Sequence, residues 1–283
     1  MYEFYKNIEI NGLRFPKVFR YKKYIYIIGG ELFMEEGVIK KYNPRIFELD
    51  NDLKINIDSR KIFNFNNIVK GSFENLYISY WCRDVYQMDD WCNLLIEFKT
   101  NHNNKTYTHE YYLLKTQNFE DFQIIKKFDD KYKNSYIFKT IDGWTLTSLI
   151  IPIDNFYWGK YQFQFFKDNK KINPVFDTIV KYNINQSHVL HNIIYEERDK
   201  KYKILFTIRH YIETKKEYKY EIYQSESKDM VNFTNTKLLD IERNFDNAWY
   251  SYPSVLTHNG IDYLICNGDD FGKIKKPLIF FFK

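Results

Sequence analysis

The segment Cys82-Arg83-Asp84-Val85-Tyr86-Gln87-Met88-Asp89-Asp90-Trp91 concentrates carboxylates, a guanidinium and an indole in a short stretch. Further acids stand at Asp246, at Asp269-Asp270 and at Glu31, after Gly29-Gly30. Two carboxyl groups held apart by the width of a water can divide proton donation from proton acceptance. Asp84, Asp90 and Asp246 are the candidates for that division, and each also suits a plain turn. Arg83 and Arg209 sit beside apolar runs, where a guanidinium fork can hold a carboxylate, a phosphate or sugar hydroxyls, or else brace neighbouring elements. Trp81, Trp91 and Trp249 border charged residues, and an indole face suits the apolar face of a sugar ring. Trp144 falls in an apolar strand pattern and reads as core. His188, His191 and His210 cluster in sequence without zinc-type spacing, so hydrogen bonding or proton transfer is expected of them and no metal. His188, Tyr252 and Asp270 complete the set of candidate ligand contacts.

The elements that must hold these residues are strands. Phe, Tyr, Ile, Asn and Lys make up over half of the 283 residues, and the single alanine is Ala248. That composition disfavours helical bundles and suits half-buried strands. AT-rich codons account for part of the bias, which discounts the aromatics as ligand platforms. Phe15-Pro16-Lys17-Val18 through Tyr26-Ile27-Ile28 repeats as Tyr252-Pro253-Ser254-Val255 through Tyr263-Leu264-Ile265. Each unit reads as a β-hairpin turning at Lys22-Lys23 or Asn259-Gly260. Looser copies occur at 73–80, at 136–144 and at 191–206, a spacing of about sixty residues, so residues 82–91 are expected to follow the second hairpin, and Arg83 and Arg209 each to follow directly on an apolar second strand. Downstream, Thr116-Gln117-Asn118-Phe119-Glu120-Asp121-Phe122 aligns with Ser227-Lys228-Asp229-Met230-Val231-Asn232-Phe233, and more loosely with Asp50-Asn51-Asp52-Leu53. Ser/Thr-x-Asp/Asn there predicts a turn from a third strand to a fourth. The expectation is an all-β, single-domain, five-bladed β-propeller with four-stranded blades over residues 1–283. Residues 4–10 are expected to supply the outer strand of the last blade and close the ring, with a strand over 275–282.

The stretch from His188 to Lys273 resembles the five-bladed glycosidase-like propellers, the architecture of glycoside hydrolase families 43, 32 and 62 and of related proteins of surface-polysaccharide gene clusters. The resemblance rests on Lys203-Ile204-Leu205-Phe206-Thr207-Ile208-Arg209, on Tyr223-x-Ser225-x-Ser227-Lys228-Asp229, on Asp246-x4-Ser251-Tyr252-Pro253-Ser254-Val255, and on Tyr263 through Lys273. It covers about a third of the chain. It implies a carbohydrate or activated sugar as partner, and inverting carboxylates roughly 6.5–9.5 Å apart if the protein is a hydrolase of that kind. The first blade departs from the hydrolase pattern: Phe15 precedes Pro16 where those enzymes usually carry an Asp. Two classes therefore stay open. One is an enzyme acting on glycosidic linkages or transferring glycosyl groups, as in building a surface glycan; the other is a non-catalytic propeller that binds a glycan or a protein.

Other classes fit poorly. The net charge of +5 comes from 42 basic and 37 acidic residues spread along the chain, without the basic stripe of nucleic-acid binding. Cys82, Cys92 and Cys266 form no C-x-x-C pair and read as reduced, buried thiols. Neither a secretory leader nor an apolar run long enough to span a bilayer is visible, so a cytoplasmic location is expected. Phosphate-loop, dinucleotide and nucleophile-elbow motifs are missing, and no cofactor is expected.

Overall fold

The computed structural model describes the chain apart from residues 10–12, 36–37, 64, 66–67, 69–77, 103–105, 129–135, 141–142, 151–161, 168–169, 173, 178–185, 197–198, 213–216, 243–249 and 269–277. Every regular element among the described residues is a strand. In chain order, β1 (Phe4–Glu9) precedes the sheet β2 (Leu13–Tyr21), β3 (Tyr24–Glu35), β4 (Val38–Leu49) and β5 (Ile55–Ile62). Next come β6 (Ile78–Met88), β7 (Trp91–His102), β8 (Thr106–Thr116) and β9 (Gln123–Phe128), then β10 (Tyr136–Thr140), β11 (Gly143–Ile150), β12 (Gln162–Lys167) and β13 (Lys170–Ile172). β14 (Val175–Phe176), β15 (Gln186–Glu196), β16 (Lys201–Ile212), β17 (Glu217–Ser227) and β18 (Asn232–Leu238) follow, and β19 (Tyr250–His258), β20 (Ile261–Gly268) and β21 (Leu278–Phe282) end the chain.

Within each sheet most neighbours are consecutive in the chain, and the described pairings of consecutive strands are antiparallel. The last sheet is completed by β1, which lies outside β21 in the order β1-β21-β20-β19, the place expected of the N-terminal strand. Glu3 and Lys283 exchange both backbone hydrogen bonds at 2.9 Å. The sequence does not announce β14, which adds to the edge of β18 in parallel.

Burial explains the strand sequences. β7 and β20 are covered on both faces, so they read as near-continuous apolar runs, Leu94-Leu95-Ile96 and Leu264-Ile265-Cys266. The outer strands β5 and β18 expose most of their side chains. Residues 8–133 with 275–279 form one compact unit, and residues 1–7, 134–274 and 280–283 form another. The first unit is centred on Phe19, Tyr21, Ile28, Phe65, Leu94, Ile96, Phe98 and Phe119. In the second, Tyr202, Ile204, Phe206, Ile208, Met230 and Phe233 make a core that takes in Phe176.

Turns fix the register. The hairpins β2–β3, β6–β7 and β19–β20 each place a left-handed residue first in a two-residue turn, Lys22, Asp89 and Asn259, and in β15–β16 the left-handed Lys200 directly precedes the second strand. At Asn259-Gly260 both residues have positive φ, the type I′ geometry that matches strand twist. The recurring Ser/Thr-x-Asp/Asn motif joins third strand to fourth, as its sequence predicts. Thr116 Oγ1 accepts from Phe119 N and Ser227 Oγ from Met230 N, both at 2.9 Å. Asn118 Oδ1 then caps Glu120 N and Asp121 N, as Asp229 Oδ1 caps Val231 N and Asn232 N. The looser copy uses Asp50 Oδ1 on Asp52 N and Lys54 N. In all three turns a left-handed apolar residue, Leu53, Phe119 or Met230, is driven into the core.

One expectation is corrected. Residues 82–91 do not follow the second hairpin; they are its first strand and turn, because β6 starts at Ile78 and pairs with β7 down to Met88–Trp91. Arg83 therefore lies in a first strand and Arg209 inside the second strand β16, and neither stands in a loop after one.

Candidate functional site

Four sheets carry the same irregularity. The register of the first strand against the second slips by one residue between Arg14 and Lys17, Cys82 and Asp84, Leu190 and Asn192, and Ser251 and Ser254. Counted back from the hairpin turn, the four bulges coincide. The residue leaving each is polar: Lys17, Asp84, Asn192 and Ser254. A bulge bends the strand and re-aims the side chains around it, and bulges concentrate beside active sites.

The second strand answers with its own polar position. The seventh residue after each turn is Gly30, Glu97, Thr207 or Asn267, set in apolar sequence. Glu97, Thr207, Asn267 and Ser254 are each 2 % exposed or less, and Lys17 and Arg45 are buried as well. Asp84 lies opposite Leu95, two residues from Glu97, so strand periodicity puts both carboxylates on one face of the β6–β7 hairpin. Such diagonal neighbours are roughly 7–8 Å apart. Thr207 Oγ1 and Ser254 Oγ make no hydrogen bond. A buried hydroxyl left so costs about 1–3 kcal/mol, which hydrogen bonds to a hydroxyl-rich ligand would offset.

The electrostatics around Asp84 are those of a charged patch against a dry wall. Its Oδ1 accepts from Val85 N at 3.0 Å. Burial pushes the Cys82 thiol well above its ordinary range; Asp84 and Cys92 add to the rise, and the positive charge of Lys17 partly offsets it. Burial and then Asp84 also raise the Tyr86 phenol. Cys92 and Cys266 are raised by burial alone. All three cysteines are free and buried, so at neutral pH they are thiols, poor nucleophiles for covalent chemistry. Among the described residues, no group of three His, Cys, Asp or Glu side chains is placed to hold a metal ion.

The candidates read from sequence divide into three groups. Trp81, Arg83 and Asp84 lie together on β6, with Arg83 the bulged residue and Trp81 opposite Glu97. His188 and Arg209 share the β15–β16 hairpin, where Arg209 pairs with Ser187 and His188 with Ile208, and Tyr252 lies in the bulge of β19. Asp90 and Trp91 are at the other end of their hairpin. Four residues of strand, about 13 Å, and then the turn itself separate Asp90 from Asp84. The Asp90 carbonyl accepts from Tyr21 Oη at 2.7 Å, and the Trp91 ring lies 4.3 Å beneath Lys115 Nζ. Both serve the turn there. Asp246, Trp249, Asp269 and Asp270 lie outside the described residues. Sequence reasoning misses Lys17, Glu97 and Asn267. A polar residue inside an apolar strand, at the same distance from each turn, is the signal that finds them.

No known family profile matches the sequence, and no curated protein matches it. Solved structures do. BT0996, solved as an RGII complex, superposes with TM-score 0.65 at 12% identity, over 99% of this protein and 90% of that one. A mannose phosphorylase from Leishmania mexicana, solved with phosphate ion, gives 0.60 at 10% identity over 98% and 88%. An endo-arabinase from Bacteroides thetaiotaomicron gives 0.59 at 14% identity over 96% and 94%. At these identities the likeness speaks for the fold alone, and that fold is a β-propeller.

Proposed function

We propose that the protein is a five-bladed, carbohydrate-active propeller, one blade per sheet, that acts on glycosidic linkages at the bulge end of its strands. The observation that carries this reading is the pair Asp84 and Glu97 on one face of the β6–β7 hairpin, beside a bulge. Diagonal strand positions lie roughly 7–8 Å apart along the backbone, and an inverting mechanism takes carboxyl groups roughly 6.5–9.5 Å apart. One carboxyl group protonates the departing oxygen while the other draws a proton from the water that attacks the anomeric carbon. Trp81 offers a ring to the sugar, and Arg83 beside it holds an anionic or hydroxyl group. That the neighbours include a mannose phosphorylase and an endo-arabinase supports the substrate class.

One feature favours a second reading, a propeller that binds a glycan without cleaving it. Phe15 stands before Pro16 where the enzymes the protein resembles carry an Asp, and the residue leaving that bulge is the cation Lys17. The deciding experiment is hydrolysis of linear arabinan, mannan and aryl glycosides by the wild type, Asp84→Asn and Glu97→Gln. The enzyme reading expects turnover by the wild type and a loss of about 10²–10⁴-fold in each variant, the size of a general acid or base contribution. Binding of the same glycans with no turnover would leave the second reading standing.

A further inference from the structure

The unit that holds Asp84 has a concave feature at the opposite end of its strands. The β2–β3 turn, the neighbouring parts of β4 and β5 and the turn after β8 enclose a cleft of about 200 Å³. Along β3, Tyr24 is six residues from Gly30, about 20 Å from the bulge end, so the cleft is no extension of the site around Asp84.

Its walls are aromatic and its rim polar. Tyr24 is 43% exposed, with Lys23 Nζ 5.1 Å from its ring centroid, and Tyr26 and Phe119 continue the wall with centroids 5.0 Å apart. The Tyr21 hydroxyl is engaged by the carbonyls of Asp90 and Gln117, which fixes the turn edges that frame the opening. Burial, and then the negative charge of Glu48, with which it hydrogen-bonds, hold the Tyr26 phenol well above its ordinary range, so it is a neutral donor. Glu48, Lys22, Lys61 and the exposed amide of Gln117 also line the cleft. Lys22 and Lys61 oppose a cation there and Glu48 opposes an anion. Donors, acceptors and aromatic faces with no dominant charge are what an uncharged, polyhydroxylated ring requires. The volume is below the roughly 300–1,000 Å³ of drug-sized sites, which limits the occupant to a single ring.

We infer that this cleft is a secondary carbohydrate site that takes one neutral sugar ring and anchors a glycan away from the end where its linkage is handled. The inference rests on the carbohydrate reading above but uses none of its residues. Saturation-transfer NMR with D-mannose, D-glucose, D-galactose, L-arabinose and D-xylose tests it on the full-length protein. At least one sugar is expected to bind with a dissociation constant of about millimolar order. Tyr24→Ala and Gln117→Ala, both at exposed positions, should each weaken it about tenfold or more. Tyr5→Ala, a tyrosine of similar exposure outside the cleft, should leave it unchanged. Binding that survives Tyr24→Ala and Gln117→Ala but falls in Asp84→Asn, or no binding by any of the five sugars, overturns the secondary site. Binding lost in Tyr24→Ala while Asp84→Asn still hydrolyses glycosides at the wild-type rate upholds it and overturns the role of Asp84 instead.

Discussion

At the turn end of the sheets, β8–β9 and β17–β18 are joined by one device built twice: a hydroxyl on the third strand, an Asp or Asn two residues on, and a left-handed apolar residue behind it. At the bulge end of the first strands the backbone is as regular, yet the side chains leaving the bulges are a lysine, an aspartate, an asparagine and a serine. The seventh positions opposite vary as widely: glycine, glutamate, threonine and asparagine. A turn needs a particular hydrogen-bond acceptor, so its chemistry repeats with its geometry. A bulge needs only an extra residue, and leaves the neighbouring side chain free to differ. Variation on a constant frame is how one fold hosts different sites. On the function proposed above, the bulge end is where the linkage is handled, while the repeated turns at the other end hold stability.

The sharpest way to break that division is Glu97→Gln. The change keeps size and hydrogen-bonding shape, so the protein should unfold within a few degrees of wild type while glycoside turnover falls by about 10²–10⁴-fold. A large drop in melting temperature with activity per folded molecule intact would make Glu97 a structural acid.

Phe119→Ala probes the other end. Its ring packs on Phe19, Tyr21, Tyr26 and Phe63, so truncation should cost about 3–5 kcal/mol. Chemical denaturation checks the figure, and hydrolysis of a small aryl glycoside, too short to reach the turn-end cleft, should not move in the folded fraction. Ser227→Ala is the milder counterpart. It removes the acceptor for Met230 N and should cost about 1 kcal/mol, as loss of a comparable cap does. Thr116→Ala should cost the same if the two turns are equivalent.

The turn end is also the more legible end. Ser227-Lys228-Asp229 and Thr116-Gln117-Asn118 name their hydrogen bonds, and the aromatic-Pro pairs Phe15-Pro16 and Tyr252-Pro253, expected at strand starts, fall in the bulges of β2 and β19, where a residue that gives up a donor is tolerated. What sequence hides is register. Asp90 looks close to Asp84 along the chain, but a strand advances about 3.3 Å per residue and carries it to the far end. The bulges at Arg83 and His191 leave no mark of their own, since one additional residue in a strand changes no composition. Glu97 and Asn267 are obscured by Leu94-Leu95-Ile96 and Leu264-Ile265-Cys266, whose burial on both faces becomes visible only once the sheets are packed.

The smallest effect separates the two turns from each other. In β17–β18 the capping acceptor is the Asp229 carboxylate; in β8–β9 it is the Asn118 amide, which does not titrate. Burial alone would raise the Asp229 carboxyl. Hydrogen bonds from the backbone and side chain of Asn232, from Val231 N and from the Ser227 hydroxyl outweigh that and bring it down to about 2, against an ordinary 3.8. A carboxyl lowered on folding adds stability that is complete above its unfolded value and is lost as pH falls through the folded one. The β17–β18 turn should therefore weaken between about pH 4 and pH 2. Glu226 belongs to the same acid limb: despite its burial, Lys201 and Asn235 hold it below the usual carboxylate range. Asp229→Asn should accordingly flatten, without abolishing, the fall in unfolding midpoint over that window, and Asn118→Asp should steepen it. An acid limb of unchanged slope in Asp229→Asn would mean that the charge on Asp229 adds nothing to the turn beyond its shape, and the two turns would then be equivalent in charge as well as in geometry.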